Sequence, residues 1–376
     1  MRDSPFAPTF GSWPPVLAGR TDLRDDLEMA FQAGPRSEWY TALTIGNRGT
    51  GKTVALSLAS DLAAQEGFHV IYDVAHAGLI QRLTASLKTL EGKPPKRKNR
   101  VELALGIPGA TLTASSESEV AQDSELHFRA TLAESVDRVI NAGATGILLV
   151  IDELHDGETE ELSTLGAAIQ IITRINAMPL AFVGAGLPEL DQRVLDTPGT
   201  TFLERCARYD TTALGTVESR NALQTPFIDA GIGFSETGMN NAITATAGHP
   251  FAIQSIGHHI WAKHPDSEKT ISIKTFQDAI EKGLSSMGRQ VAQPVWKRLS
   301  ETDQKFVLAM ARHPNVDVPV SYIASELDRD PKWVSRYRNR LIKAAVIKPA
   351  SRGHITFAHP AFRSWIQANA GDLNVG

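Results

Sequence analysis

The stretch Gly46-Asn-Arg-Gly-Thr-Gly-Lys-Thr53 decides the fold of this chain. It matches the pattern G-x-x-x-x-G-K-[ST] and lies between a β-rich run, Thr41–Ile45, and a helical pattern that begins at Lys52. Glycines allow the backbone N–H groups of such a loop to curl around a polyphosphate, and the positive end of the helix adds to the attraction. The stretch therefore predicts a phosphate-binding loop. The residues expected to contact a nucleotide are Gly46, Asn47, Arg48, Gly49, Thr50, Gly51, Lys52, Thr53 and Val54.

A second stretch, Ile147-Leu-Leu-Val-Ile-Asp152-Glu153, supplies the acidic half of the same predicted site. Its five apolar residues indicate a buried strand, and two carboxylates follow at the C-terminal end, where open α/β sheets bind ligands. We expect Lys52 to reach the β- and γ-phosphates of ATP, and Thr53 and Asp152 to hold Mg²⁺. Glu153 is then the residue that orients and polarises the attacking water. Taken alone, this stretch is equally typical of an ordinary strand that ends in an acidic turn.

Alternating strand and helix patterns predict an α/β fold, with a parallel-sheet P-loop NTPase core. The apolar stretch Leu180–Gly184 predicts a further core strand, which ends in a tight Gly-Ala-Gly turn without a phosphate-sensing side chain. Patterns beyond about Val217 are mainly helical and predict a helical lid. We therefore expect three domains: a core with an N-terminal arm over 1–216, a lid over 217–287, and a C-terminal module over 288–376.

Residues 91–124 interrupt this alternation. They open with the basic run 93–100, which we interpret as a solvated loop, and they carry a candidate hairpin around 101–113. The region is predicted to be an insertion in the core.

The C-terminal pattern predicts a winged helix-turn-helix. A helix over 300–312 and a short helix over 320–327 precede a basic helix over about 331–345, and a β-wing surrounds Arg352-Gly353. In one interpretation the basic helix enters the major groove of duplex DNA and the wing lies near the backbone. In the other, the module binds a protein and its basic face is solvated. The candidate DNA contacts are Lys332, Arg336, Asn339, Arg340, Lys343 and Arg352.

Charge is distributed unevenly over the 376 residues. The formal net charge of −4 divides into +7 from Gly288 onwards and −11 before it. This division favours a basic binding module joined to an acidic ATPase region.

The single cysteine, Cys206, excludes a disulfide framework and a cysteine-based zinc module. No apolar run is long enough to cross a bilayer, and the start does not resemble a signal peptide, so we expect a cytoplasmic protein. His155 is either a contact of the predicted site or, more commonly for such a position, a solvent-facing loop histidine, and the histidines at 258, 259 and 264 are interpreted as structural or surface residues.

The motif Val16-Leu-Ala-Gly-Arg20, the Gly46–Thr53 loop, the Asp152-Glu153 pair and the winged-helix pattern together resemble the AAA+ and STAND ATPases. The greatest similarity is to origin-recognition-like AAA ATPases of bacteria. This resemblance implies that Val16, Gly19 and Arg20 lie against adenine, although Gly19-Arg20 is equally typical of a plain loop.

The resemblance also extends to Phe202-Leu-Glu-Arg205-Cys-Ala-Arg208, which is similar to the segment that supplies an arginine finger to a neighbouring subunit. It implies self-association, with Arg205 as the first choice of finger and Arg208 as the second. A surface arginine that pairs with Glu204 or Asp210 is the alternative interpretation. Origin-recognition ATPases carry an arginine at the start of a lid helix, where this chain has Gly248-His-Pro-Phe-Ala-Ile253. Its Gly-x-Pro looks more like STAND ATPases, in which Pro250 would contact nucleotide.

Together these features predict a switch that binds and slowly hydrolyses ATP and couples its nucleotide state to DNA binding. The alternative is a signalling ATPase whose winged helix binds a protein partner.

Overall fold

The structure is a computed structural model that describes residues 3–9, 14–90, 117–190, 201–265 and 268–369. It divides into two compact units: Arg20–Thr211, and Met1–Gly19 together with Thr212–Gly376. The predicted hairpin around 101–113 and the basic run 93–100 lie outside the described residues. We call Arg20–Thr211 the first unit and the remainder the second unit. The elements of the first unit are α1 (Thr21–Ala33), β1 (Thr41–Ile45), α2 (Lys52–Gln65), β2 (Phe68–Val74), α3 (Leu79–Lys88), α4 (Glu117–Asn141), β3 (Gly146–Asp152), α5 (Thr159–Ile169), β4 (Leu180–Gly186), α6 (Thr201–Glu204) and β5 (Ala207–Asp210).

A five-stranded parallel sheet forms the centre of the first unit, with the strand order β2-β3-β4-β1-β5. The strand β4 therefore lies between the loop strand β1 and the carboxylate strand β3. Ile45 of β1 is in register with Gly186, and Ile151 of β3 with Gly184, so these three strands end at one edge of the sheet. This α/β core confirms the predicted fold class.

Continuous apolar runs explain why these strands are central. All seven residues of β3 and all seven of β4 are buried, because helices cover both faces of a parallel sheet. Phe128, Leu132 and Val136 of α4 extend the same core. The helix α5 ends at Ile169 and the chain continues as a π-helical segment, Gln170–Ile175. In that segment the Thr173 hydroxyl donates to Leu180 O at 3.2 Å, which ties it to β4.

The second unit is mainly helical, as predicted for the lid. Phe6 of the N-terminal arm packs against Phe227 with ring centroids 5.3 Å apart, so this part of the arm belongs to the core of the second unit. The predicted domain boundaries remain a prediction.

The elements of the second unit are α7 (Thr216–Asp229), β6 (Gly233–Phe234), α8 (Glu236–Thr246), α9 (Pro250–Lys263), β7 (Thr270–Ile271), α10 (Ile273–Met287), α11 (Gln293–Trp296), α12 (Glu301–Arg312), β8 (Val318–Pro319), α13 (Val320–Glu326), α14 (Pro331–Lys343), β9 (Ile347–Pro349), β10 (His354–Phe357) and α15 (Pro360–Asn369).

The C-terminal module, α12 to α15, has its own apolar core around Phe306, Ile323 and Leu341. The strands β8, β10 and β9 form an antiparallel sheet in that order. The helix α14 begins with Asp330 as its N-cap, whose carboxylate accepts from the N–H groups of Lys332 and Trp333, and with Pro331 in the first turn. No helix in the described parts of the chain is long and apolar enough to cross a membrane.

Candidate functional site

The Gly46–Thr53 loop connects β1 to α2 at the carboxyl edge of the sheet. Gly49 and Gly51 adopt positive φ angles of 75° and 97°, which glycine reaches without a steric cost. A Cβ atom on Gly46 would come within 1.9 Å of Thr211 Oγ1, so this position has no room for a side chain. The first N–H groups of α2 have no intrahelical partner, and they face the position where a phosphate binds in such loops.

Lys52 is buried at the start of α2. Its Nζ donates to two carbonyls of the loop, Gly46 O at 2.9 Å and Asn47 O at 3.2 Å. Burial lowers the pKa of Lys52, and the nearby carboxylates of Glu153 and Asp152 act in the opposite direction. The ammonium group therefore lies inside the loop, and its contact with phosphate stays a prediction.

Asp152 joins three elements of the site. Its Oδ2 accepts from Thr53 Oγ1 at 3.2 Å and from the Tyr72 hydroxyl at 3.0 Å, and its Oδ1 accepts from Glu153 N at 2.8 Å. The hydroxyl of Thr53 and the carboxylate of Asp152 are hard oxygen ligands of the kind that Mg²⁺ prefers. Their close approach fits the predicted metal pair.

Sequence reasoning missed Tyr72. Val74 of β2 is in register with Asp152, so Tyr72 lies two residues earlier on the same face of the sheet. Burial is the main cause of the raised pKa of Tyr72, followed by the charge of Asp152. The phenol therefore stays protonated and donates to the predicted metal ligand. Period-two alternation along β2 is the signal that would have identified it.

Replacing Tyr72 with Phe is expected to remove one hydrogen bond to Asp152 while keeping the packing of the ring. Partners of metal ligands tune affinity by about 10–100-fold, so we expect the affinity of the predicted metal pair for Mg²⁺ to fall by about 10-fold. Isothermal titration with Mg²⁺ measures this. An unchanged Mg²⁺ affinity would mean that Tyr72 does not tune the metal ligand.

Glu153 follows Asp152 in the left-handed conformation, with φ 52°. Its Oε2 is buried and accepts no hydrogen bond from a described residue, although His155 Nδ1 lies 3.4 Å away. That nitrogen accepts from Leu187 N at 3.4 Å, directly after β4. The side chain of His155 is only 10% exposed, so the interpretation of a surface residue was wrong. The cause is the short 3-10 turn after Glu153, which folds His155 back toward the end of β4.

Arg20 contacts the loop from the start of α1. It is buried, and its Nη2 donates to Thr50 O at 2.8 Å while its Nη1 donates to the Tyr209 hydroxyl at 3.2 Å. The structure therefore places Arg20 on the backbone of the phosphate loop and on β5. Its predicted adenine contact, like those of Val16 and Gly19 in the second unit, remains a prediction.

The candidate arginine fingers lie on either side of Cys206. Arg205 follows α6 and is exposed, and its backbone N–H donates to Phe202 O at 3.1 Å. Arg208 is exposed within β5. Both residues are close in sequence to the strand that borders the loop strand β1. A role toward a second subunit stays a prediction.

All six candidate DNA contacts are exposed: Lys332, Arg336, Asn339, Arg340 and Lys343 on α14, and Arg352 at the turn between β9 and β10. Arg340, however, also has a structural role. Its Nη2 lies 2.7 Å from Oδ2 of Asp303, whose side chain is 2% exposed. Removing the Arg340 side chain would leave this carboxylate buried without its ion pair, which destabilises a fold. Arg340 is therefore a poor position at which to test binding.

Two partly exposed aromatic rings lie among the cations of α14. Trp333 and Tyr337 lie 4.3 Å apart between ring centroids. Arg329 lies over the ring of Trp333, and Arg336 over the ring of Tyr337. Cationic and aromatic groups therefore alternate along this surface.

The Gly248-His-Pro motif begins α9, with Pro250 in its first turn. The ring of His249 packs edge-on against His359, which directly precedes α15, with centroids 4.2 Å apart. His359 Nδ1 accepts from Ala361 N at 3.1 Å. Burial, and secondarily the nearby His249, lower the pKa of His359 well below its usual value. Within the second unit, this contact joins the motif predicted to bind nucleotide to the last helix of the C-terminal module. The nucleotide contact of Pro250 stays a prediction.

The buried His359 predicts an acid-sensitive fold. Because its folded pKa is lowered, the unfolded chain binds more protons below about pH 6.5, and stability falls as the pH decreases. We expect His359→Asn, which retains an acceptor for Ala361 N, to weaken this dependence by up to about 1.4 kcal/mol per pH unit. Urea unfolding at pH 7.5 and 5.5 measures it. Equal losses of stability on acidification in both proteins would contradict the assignment.

Comparisons with known proteins agree with this geometry. A family model described as a domain of unknown function, DUF8462, matches residues 289–366. No curated protein matches the sequence. The Walker-type ATPase PABY2304 of Pyrococcus abyssi superposes with a TM-score of 0.63 at 14% identity, over 93% of this chain and 96% of that one. The ORC2 protein of Aeropyrum pernix, in ADPNP–ADP complexes, superposes with a TM-score of 0.61 at 14% identity, over 97% and 98%. The chain has the fold of a P-loop ATPase.

Proposed function

We propose that this protein is an ATP-binding and ATP-hydrolysing switch that couples its nucleotide state to DNA binding through a C-terminal winged helix-turn-helix. The observation that carries the proposal is the cluster at the end of β3. The hydroxyl of Thr53 lies 3.2 Å from the carboxylate of Asp152, beside the buried ammonium of Lys52. The structure of the Aeropyrum protein with ADPNP and ADP adds support for a nucleotide ligand.

Each residue at the carboxyl edge of the sheet has its own role in the proposed reaction. Lys52 binds the β- and γ-phosphates, and Thr53 and Asp152 hold the metal ion. Bound Mg²⁺ supplies charge neutralisation to the phosphates. Glu153 orients and polarises the attacking water, and its side chain, which is 36% exposed at the end of β3, is accessible to that water.

The C-terminal module carries the DNA-binding part of the proposal. The order of α12, α13 and α14 and the antiparallel sheet support a winged helix-turn-helix, in which α14 is the recognition helix and the turn at Arg352 is the wing. Exposed cations on α14 and the local charge of +7 favour contacts with phosphates.

Further contacts complete the proposed nucleotide site. We assign Val16, Gly19 and Pro250 to the nucleotide on the basis of the resemblance to AAA+ and STAND ATPases. Arg205, with Arg208 as the second choice, is the proposed finger toward a neighbouring copy, because its side chain is exposed. The guanidinium would stabilise charge that develops on the transferred phosphoryl group.

Lys52→Ala tests the nucleotide site directly. Loss of a charge-assisted contact costs about 1.5–3 kcal/mol, so we expect ATP affinity to fall by about 10–100-fold. Isothermal titration with ATP and Mg²⁺ measures this, and Lys88→Ala, at the end of α3, is the control in the same unit. Equal affinities of the wild type and the Lys52→Ala variant would contradict the proposed site.

The second candidate function is a signalling ATPase whose module binds a protein. The Trp333–Tyr337 pair with its neighbouring arginines favours it, since these residue types are enriched in the centres of protein interfaces. Salt-dependent binding to duplex DNA separates the two functions.

A further inference from the structure

The chain passes between its two compact units at two points, Gly19–Arg20 and Thr211–Thr212. On the first-unit side of these connections stand Arg20 and Thr211. Both form hydrogen bonds with Thr50, a residue of the phosphate loop. Two segments that are far apart in sequence are thus attached to one residue of the loop.

The attachments use different atoms of Thr50. Its carbonyl oxygen accepts from Arg20 Nη2 at 2.8 Å, and its hydroxyl lies 2.7 Å from the hydroxyl of Thr211. All three residues are buried, with side chains 7% exposed or less. Water therefore does not compete strongly for these hydrogen bonds.

The hydroxyl of Thr50 also reaches the carbonyl that Lys52 contacts. Asn47 O accepts from Thr50 Oγ1 at 2.8 Å and from Lys52 Nζ at 3.2 Å. A lysine that turns to a phosphate releases this carbonyl, which then keeps its two contacts with Thr50, the hydroxyl at 2.8 Å and the backbone N–H at 3.4 Å. Because that hydroxyl has one proton, a bond donated to Asn47 requires Thr211 to act as the donor to Thr50.

The hydroxyl of Thr211 is not needed to hold its strand. The backbone N–H of Thr211 already donates to Ile45 O at 2.7 Å. The side-chain hydroxyl lies 3.1 Å from the same oxygen, so it has two acceptors for one proton, Ile45 O and Thr50 Oγ1. The Thr211 hydroxyl can therefore donate to either acceptor, depending on whether the loop holds a phosphate.

We propose that Thr50, Arg20 and Thr211 are positioning residues that couple occupancy of the phosphate loop to the backbone at both connections between the compact units. This inference rests on the proposed nucleotide binding and adds the path by which a bound phosphate acts on the rest of the chain. The path runs from Lys52 through the Asn47 carbonyl to Thr50, and from Thr50 to each connection.

Hydrogen–deuterium exchange on the full chain tests the coupling. Exchange is measured for peptides over the loop, over 20–24 and over 209–216, with and without a non-hydrolysable ATP analogue and Mg²⁺ at saturation. In the wild type we expect the analogue to change exchange at both connections by about fivefold, the effect of one hydrogen bond. Thr211→Val should remove the response at 209–216 only, and Arg20→Met the response at 20–24 only.

Two further variants separate coupling from a general loss of structure. Thr211→Ser keeps the hydroxyl and should restore the response. Thr173→Val removes a comparable buried hydrogen bond, to Leu180 O, at a site away from the loop, and should leave both responses as in the wild type. Protection of the loop peptide by the analogue should persist in the Thr211 and Thr173 variants.

The outcomes distinguish this inference from the proposed function. A wild-type response that survives in Thr211→Val, or a protected loop with no response at either connection, overturns the coupling while nucleotide binding stands. A loop that the analogue does not protect in the wild type contradicts the proposed function itself, and the coupling with it.

Discussion

Glu153→Gln is expected to bind ATP with an affinity close to that of the wild type and to hydrolyse it about 10²–10⁴-fold more slowly, the range for loss of a general base. The amide keeps the volume of the side chain but cannot accept a proton from water. Binding survives because the phosphate contacts belong to Lys52 and the loop. Phosphate release under saturating ATP, with ATP affinity measured on the same protein, checks both parts.

The control for this prediction is Glu160→Gln, which removes an exposed carboxylate from the first turn of α5. It should hydrolyse ATP at the wild-type rate. Undiminished turnover in Glu153→Gln would remove Glu153 from the mechanism. A loss of ATP affinity equal to the loss of rate would instead assign it to binding.

Replacing Lys332, Arg336 and Lys343 together with Ala is the second change with a large expected effect. Three lost phosphate contacts should lower the slope of log affinity against log salt by about 3 and weaken DNA binding by about 100-fold at moderate salt. Arg340 is left in place because its ion pair with Asp303 supports the module. Fluorescence anisotropy with a labelled duplex across a salt series measures both quantities.

A matched triple variant controls for charge alone. Lys269, Lys274 and Lys282 are exposed lysines of the second unit outside the C-terminal module, and their replacement by Ala removes the same net charge. We expect this control to retain most of the affinity. Equal losses in both triple variants would mean that long-range charge, and not α14, attracts DNA. Full affinity in the α14 variant would favour the protein-binding alternative.

The position of the Gly46–Thr53 loop beside the acidic pair was predictable because both stretches are local in sequence. The Gly46–Thr53 loop, its flanking strand and helix, and the Asp152-Glu153 pair each combine a short motif with a short apolar run. In these stretches local pattern and tertiary position agree.

The contacts around that site were not predictable, because they depend on register and on pairs that are distant in sequence. Tyr72 reaches Asp152 only through the pairing of β2 with β3. The contact of Arg20 with Thr50 spans thirty residues, and that of Arg340 with Asp303 requires the packing of two helices. The charge pattern on α14 indicated a basic face but gave no sign that one of its arginines neutralises a buried acid.

A titration with duplex DNA in three nucleotide states tests whether nucleotide binding and DNA binding are coupled in this protein. Binding of labelled duplex DNA to the full chain is measured with ATP and Mg²⁺, with ADP and Mg²⁺, and without nucleotide. The ATP measurement uses the Glu153→Gln variant, in which slow hydrolysis keeps ATP bound. We expect the dissociation constants for DNA to differ between nucleotide states by at least about fivefold, which is the lower end of typical allosteric couplings. Equal affinity in all three states, or no DNA binding in any of them, would contradict it.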